Sequence, residues 1–470
     1  MFCYVGWYIV RRILSIFLCM ILVITLTGCN SILRLLNNKK GESVVPVGDN
    51  VDGEYYSGVE RDFSPLFKTN ISSDDYQFEI EQISKQNFCA SPYDKVTQGN
   101  GYNSLESDAL KEAYRNLEEA VYNIYVEKDM NGYYPVQRVV IKNENIPEEL
   151  IRKLICAFAY DHSFEFWVAN VFGFAYLNSD TIIQVYSSLS PDDCNGAIKQ
   201  LETRVNTILN NIPNGLTEYE RELYIHNWLL DNCEYDSDAV YLKNKWASFN
   251  VYGAVVVGKA VCEGYSRAMQ LLLNQVGIYC RVISGDAKNN PHMWNLVYIN
   301  KDWYHLDATW NDSPQFRKYN YFNVDDDVIE IDHKIYPDFN SFTKEEICGT
   351  DMKSVARYNI NIPECFSDDA NYFNVESIKI RSLGRDVDSK IINEIYKKVV
   401  DGEKSVSFQI SESLSYENTI AKMFTQSPYK FLFYVDSVNE MLNDKKIDKD
   451  NIVYSEVESQ RAIIVQLNFI

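Results

Sequence analysis

The stretch 258-GKAVCEGYSRAMQLLLNQVGIYC-280 decides how the chain is read. Gly258, Lys259 and Ala260 form a small, turn-prone lead-in to Cys262. Beyond it Met269, Leu272, Leu273 and Val276 recur at helical spacing as far as Gly277, a residue suited to ending a helix. Cys262 therefore stands at a helix N-terminus. The macrodipole and the unbonded N–H groups of a first turn favour a thiolate there. The same N–H groups are able to hold the oxyanion of a tetrahedral intermediate.

Nucleophilic cysteine chemistry also needs a base and a group that orients the base. The chain has five histidines: His162, His226, His292, His305 and His333. His292 opens the strand-like run 292-HMWNLVYIN-300, and 302-DWYHLDATW-310 follows directly. With Asn300-Lys301 as a two-residue hairpin turn, Ile299 faces Asp302, Trp294 faces Asp307 and His292 faces Thr309. Asp307 then shares a face with His292, one diagonal step of roughly 7–8 Å away. His305 lies on the Asp307 face but lacks the H-x-W-N surroundings, and reads as structural or solvent-facing. His226, within 222-ELYIHNWLL-230, reads as a packing or surface residue, while His162 and His333 join no constellation.

These residues resemble the transglutaminase-like superfamily, more narrowly its bacterial secreted branch. The resemblance rests on V-C-x-G-[YF] around Cys262, H-x-W-N at His292 and W-x-x-x-D-x-T-W at Asp307, and it runs from about Leu216 to Asp326. It implies a papain-like core, with a nucleophile helix packed on an antiparallel sheet. It implies Cys262 as nucleophile, His292 as general base and acid, and Asp307 as the orienting carboxylate. Tyr252, in a Y-G-A that the family shares, is a candidate oxyanion donor and equally a structural tyrosine. Trp294 is the candidate for lining the groove, because it faces Asp307 in the counted register. Core packing is the favoured role for Trp294, Trp303 and Trp310, with substrate stacking in the groove as the alternative.

The charge and cysteine content bound the rest. A net charge of −21, spread along 470 residues, lacks the basic footprint of a general nucleic-acid binder. Arg11-Arg12 precede the apolar run Ile13–Leu26, which is shorter than the ~20 residues of a membrane span and of the length of a secretory signal. Leu26-Thr27-Gly28-Cys29 resembles a bacterial lipobox, which makes Cys29 the lipidation site and places the protein outside the cytoplasm, lipid-anchored to the cell membrane. Secretion permits disulfides, yet the irregular spacing of the cysteines specifies no pairing, and no C-x-x-C occurs. The acidic 323-NVDDDVIEIDHK-334 has Val328 and Lys334 where a calcium loop needs Gly and Glu, and reads as a solvated loop. No metal and no cofactor is expected.

The expected class is α+β, a papain-like transglutaminase core flanked by N- and C-terminal α+β regions. The expected divisions are a lipoprotein signal at 1–29, a tether at 30–75, an N-terminal region at 76–212, the core at 213–335 and a small domain at 370–470. Thr217 and Glu220 make a capping-box signature for the helix that opens the core. In the last region "VSFQI", "KFLFYV", "NIVYSEV" and "AIIVQLNF" read as strands between helices. The expected activity is cysteine-dependent acyl transfer on protein or peptide amides, with hydrolysis favoured over crosslinking. A cell-wall stem peptide is one such substrate. A surface binding protein that keeps the fold without turnover is the reading from another class; a broken triad would mark it.

Overall fold

The computed structural model describes residues 67–70, 85–87, 93, 99–129, 132–239, 245–313, 317–348 and 358–470. The expected signal, Cys29, Cys89 and most of the tether lie outside the described residues. Among the described residues no helix is long and apolar enough to cross a membrane. The described chain divides into two compact units after Val375.

The first unit opens with β1 (Phe67–Asn70) and β2 (Lys85–Asn87). Next come α1 (Asp108–Ala120), β3 (Asn123–Tyr125), β4 (Tyr134–Pro135), β5 (Val139–Ile141) and α2 (Glu148–Asp161). β6 (Val168–Leu177), β7 (Asp180–Ser187) and α3 (Pro191–Asn210) complete this part. β1, β6, β7 and β4 lie in that order in one sheet, with β5 also on β7. The helix starts follow the rules of local chemistry. Ser107 and Ser190 each accept the N–H three residues on, and Pro191 occupies the first turn of α3, where a missing N–H costs nothing.

The chain then enters α4 (Glu218–Asn232), where the Thr217–Glu220 capping box is formed in both directions. β8 (Glu234–Tyr235) and β9 (Lys259–Ala260) make a short parallel pair. α5 (Cys262–Gln275) follows at once, and Gly277 takes the positive φ of 80° that stops it. Five strands build the sheet behind α5: β10 (Tyr279–Ala287), β11 (Asn290–Ile299), β12 (Asp302–Leu306), β13 (Phe322–Val324) and β14 (His333–Ile335). Their order is β13-β12-β11-β10-β14, antiparallel throughout. The architecture is α+β with a helix packed on an antiparallel sheet, as the sequence led us to expect. Met269, Leu272 and Leu273 are fully buried on α5, and Leu296 and Val297 are buried on β11.

The hairpin register is the counted one. Asn300 and Lys301 both take positive φ, 52° and 80°, and Ile299 pairs with Asp302, Val297 with Tyr304 and Asn295 with Leu306. The ladder ends at Leu306. Asp307 leaves the strand and caps a helical turn, Ala308–Asn311, by accepting the Trp310 N–H.

The second unit contains β15 (Ile378–Ile380), α6 (Arg385–Val400), β16 (Ser405–Ile410), α7 (Lys430–Met441), β17 (Val453–Val457) and β18 (Ala462–Gln466). Its sheet runs β15-β16-β18-β17. The run "KFLFYV" is a correction: it begins α7 and is not a strand. Phe431, Tyr434, Val435 and Val438 are the buried residues, spaced three, four and seven apart on one helical face. A five-residue apolar run carries no period by itself, and the longer buried pattern decided its state.

Candidate active site

α5 begins under tight constraint. Val261 precedes it and offers no side-chain cap, so the first-turn N–H groups of α5 keep their donors free of side-chain partners. A Cβ on Gly264 would lie 2.7 Å from the Ser248 carbonyl oxygen and 2.6 Å from the Ala260 Cβ. Only a glycine lets the helix start press onto that backbone. Gly264→Ala is therefore expected to cost about 1–3 kcal/mol through overpacking, read as a lowered urea midpoint. It should also slow Cys262 alkylation, since the first turn must back away.

The remaining motif residues bind α5 to its surroundings. Tyr265 donates from its hydroxyl to Asp312 at 2.6 Å. Ser266 Oγ lies 2.8 Å from both the Cys262 and the Met293 carbonyl oxygens. Asn295 of the H-x-W-N run donates to the Ser266 carbonyl at 2.9 Å. These bonds hold the first turns of α5 against β11, which carries His292.

Cys262 and His292 are 5 % and 6 % exposed, and Asp307 is fully buried. His292 Nε2 stands 2.7 Å from Asp307 Oδ2. That leaves Nδ1 available toward Cys262, whose side chain is close enough to favour the charged imidazole. Burial pulls the His292 pKa down, but the charge and hydrogen bond of Asp307, with the bond to Cys262, overcome it and hold it up to about 9. Burial would raise the Asp307 pKa, and its two histidine partners instead hold the carboxyl well below the usual carboxylate range. The pair is an imidazolium–carboxylate at neutral pH.

The other predicted residues are placed differently. Trp294 is 1 % exposed and lies under His292, with ring centroids 5.9 Å apart and planes 19° apart. Its Nε1–H donates to His305 Nδ1 at 3.0 Å. It is thus a packing residue beneath the imidazole and does not line a groove. Tyr252 donates its hydroxyl to Gln200 at 2.5 Å and stacks with Phe166 and Trp246, a structural arrangement. His305 is buried, and its Nε2 meets Asp326 at 2.9 Å. His226 is buried too, with its pKa pushed down to about 3 by burial.

Two histidines that the sequence left without partners have them. His162 stacks on Phe158 and lies 3.4 Å from Glu118 and 3.2 Å from Glu165. His333 enters the centre of the site. Its Nε2 is 3.2 Å from Asp307 Oδ2, the oxygen His292 also uses. The segment read as a solvated acidic loop therefore packs into the cluster: Asp326 holds His305, and Asp332 holds His333 at 2.7 Å. β14 is the reason. Ala287 on β10 pairs with His333, and Gly285, two residues away on the same face, pairs with His292.

Among the described residues two clusters have donor types a metal would accept: His292, Asp307 and His333, and His305, Asp326 and Cys365. In the second, Trp294 donates to Nδ1 of His305, so Nε2 carries the ring proton and gives it to Asp326. A metal there would have to displace that proton and leave an imidazolate. Among the described cysteines none is paired in a disulfide. Burial pushes the thiols of Cys156 and Cys233 up to about 12, and those of Cys194, Cys280, Cys348 and Cys365 upward as well.

A family model described as the transglutaminase-like superfamily matches residues 206–308, a window that contains Cys262, His292 and Asp307. Human kyphoscoliosis peptidase is 27 % identical over 106 residues, which cover 20 % of this chain and 16 % of that protein. The mouse protein is 26 % identical over a match of the same extent. The match thus spans less than a fifth of the length of either relative. Among solved structures, a TGase aligns with TM-score 0.22 and 14 % identity, covering 37 % of this chain and 50 % of its own. A candidate cysteine protease from Cytophaga hutchinsonii aligns with TM-score 0.20 and 16 % identity, covering 29 % and 61 %.

Proposed function

Since residues 206–308 are a transglutaminase-like domain, we propose that the protein is a cysteine-dependent acyl-transfer enzyme acting on protein or peptide amides. The observation that carries the reading is the convergence of Cys262 and Asp307 on one buried imidazole, with Asp307 bound at its Nε2. Cys262 reacts as the thiolate of an ion pair, its proton held on the His292 imidazolium. The thiolate adds to the substrate carbonyl carbon, and the carbonyl electron pair moves to oxygen, where first-turn N–H groups of α5 receive it. The tetrahedral species collapses, the C–N bond breaks, and the leaving amine takes the proton from His292. A thioester to Cys262 remains. Water, losing a proton to His292, attacks it, the C–S bond breaks, and the acid leaves with Cys262 restored as thiolate beside the His292 imidazolium. Hydrolysis is the outcome we favour; an amine in place of water would give crosslinking by the same steps.

We place this chemistry outside the cytoplasm, on a lipid anchor at Cys29, on the strength of the N-terminal sequence. A protein or cell-wall peptide would be its substrate there. The test uses protein lacking residues 1–29 and titrates the iodoacetamide alkylation rate of Cys262 against pH, beside His292→Ala. The expected result is a thiolate population well below pH 8.5 in the wild type, returning toward the ordinary thiol value of about 8.5 in the variant. A titration indifferent to His292 would leave a binding scaffold as the better account.

A further inference from the structure

Asp307 Oδ2 has two imidazole partners, His292 Nε2 at 2.7 Å and His333 Nε2 at 3.2 Å. The far nitrogen of His333, Nδ1, faces Asp332 Oδ1 at 2.7 Å. Asp332 Oδ2 in turn accepts the Tyr321 hydroxyl at 2.6 Å. A neutral imidazole has one N–H and one lone pair, and a lone pair against a carboxylate oxygen is repulsive. Both contacts are attractive only when both nitrogens carry protons. The charges agree. With the thiolate formed, Cys262, Asp307 and Asp332 are three anions against His292 and His333; with His333 neutral, His292 alone would oppose them in a buried site.

We propose that His333 is a positioning residue of the acyl-transfer site, standing as a doubly protonated imidazolium between Asp332 and Asp307, where it holds the Asp307 carboxylate in place and takes up part of its charge. The inference rests on the reading of Cys262 and His292 as an acyl-transfer pair. Its consequence is a setting of His292. The more of Asp307's charge His333 neutralises, the less is left to stabilise the His292 imidazolium. The positive charge of His333, with ring centroids 5.6 Å apart, repels that imidazolium directly. Both effects make His292 release its proton to the leaving amine more readily than an unshared Asp307 would allow. Burial opposes a charged His333, and the bonds to Asp307 and Asp332 overcome it, keeping its pKa above the ordinary histidine value.

The surroundings contain no competing anion among the described groups that pack on the ring. β11 contributes His292 and Trp294, the latter 5.1 Å away between rings. The Asp307 turn contributes Trp310 at 4.7 Å, and the approach to β13 contributes Tyr321 at 5.1 Å. Lys288, from the β10–β11 turn, sits over the Trp310 ring, and His305 lies behind Trp294. Asp332 precedes His333 on its own turn.

Five histidines make the test direct. Protein lacking residues 1–29 is labelled with ¹⁵N-histidine, and two-bond spectra assign each ring nitrogen as protonated or bare across pH. His333→Gln assigns its signal. The expected spectrum has both His333 nitrogens protonated at pH 7. In His333→Gln the titration midpoint of His292 should rise by about half to one unit, a three- to tenfold gain in proton affinity. Asp332→Asn, which leaves the ring in place, should lower the midpoint of His333 and raise that of His292 by less. The double variant should add nothing to His333→Gln. A singly protonated His333 at pH 7, or an unmoved His292 midpoint in folded Asp332→Asn, overturns the proposal. A His292 titration indifferent to Cys262→Ala overturns the acyl-transfer reading itself, and the role of His333 with it.

Discussion

Replacing His292 by alanine is expected to lower Cys262-dependent amide hydrolysis by about four orders of magnitude or more. The imidazole is the common element of the site. Its Nε2 engages Asp307 and Cys262 lies beside it, so in the proposed reaction its loss removes both the partner of the thiolate and the proton donor of the leaving amine. The start of α5 is untouched, and a small residual rate should persist from its N–H groups alone. Cys262→Ala should fall to the same floor, and the double variant no further, because the two act as one unit. The measurement is mass spectrometry of a peptide library digested by each variant. Hydrolysis surviving Cys262→Ala would move the chemistry to another part of the chain.

The largest loss of stability is expected from Asp307→Ala. Asp307 is fully buried, compensates two buried imidazoles and caps the turn at Ala308. Removing one partner of a buried ion pair costs about 3–5 kcal/mol, and the lost cap adds about 1 kcal/mol. The cost depends on pH. The pKa of His292 is raised on folding, from an unfolded value of about 6.5 to about 9. Its contribution is therefore complete below pH 6.5 and is lost as pH climbs through 9, a span worth on the order of 3 kcal/mol. Asp307 is shifted the other way: its contribution is present above about pH 3.9 and fails only as acid protonates it in the folded state. Urea unfolding at pH 6 and pH 9 should show the wild type losing stability across that interval, while Asp307→Ala stays flat. Asp307→Asn separates the roles. It retains the cap and most of the shape, and is expected to lose activity far more than stability.

What the amino-acid sequence determined by itself was local along the chain. The helix beginning at Cys262 was legible from its apolar spacing and from Gly277, because both act within a few turns of one helix. The capping box at Thr217 was legible because its two bonds close within four residues. The register that brings His292 toward Asp307 was legible because a two-residue turn at Asn300-Lys301 fixes every pair of the hairpin at once. "KFLFYV" marks the limit: five apolar residues after a lysine fit a strand or a helix equally, and packing in the second unit decided for the helix. Trp294 marks another. A count of register places it on the Asp307 face, but only the packed sheet shows His333 and His305 against the indole, which is buried. His333 was beyond reach of any local pattern. It arrives on β14, which joins the free edge of β10 after the chain has left the hairpin and returned, and it meets Asp307 across 26 residues of sequence. Turns, caps and hairpin registers are written in neighbouring residues because short-range sterics and hydrogen bonds enforce them. Which distant strand closes a sheet edge depends on the burial of the whole unit, and the tertiary structure alone decided that His333 would share the Asp307 carboxylate.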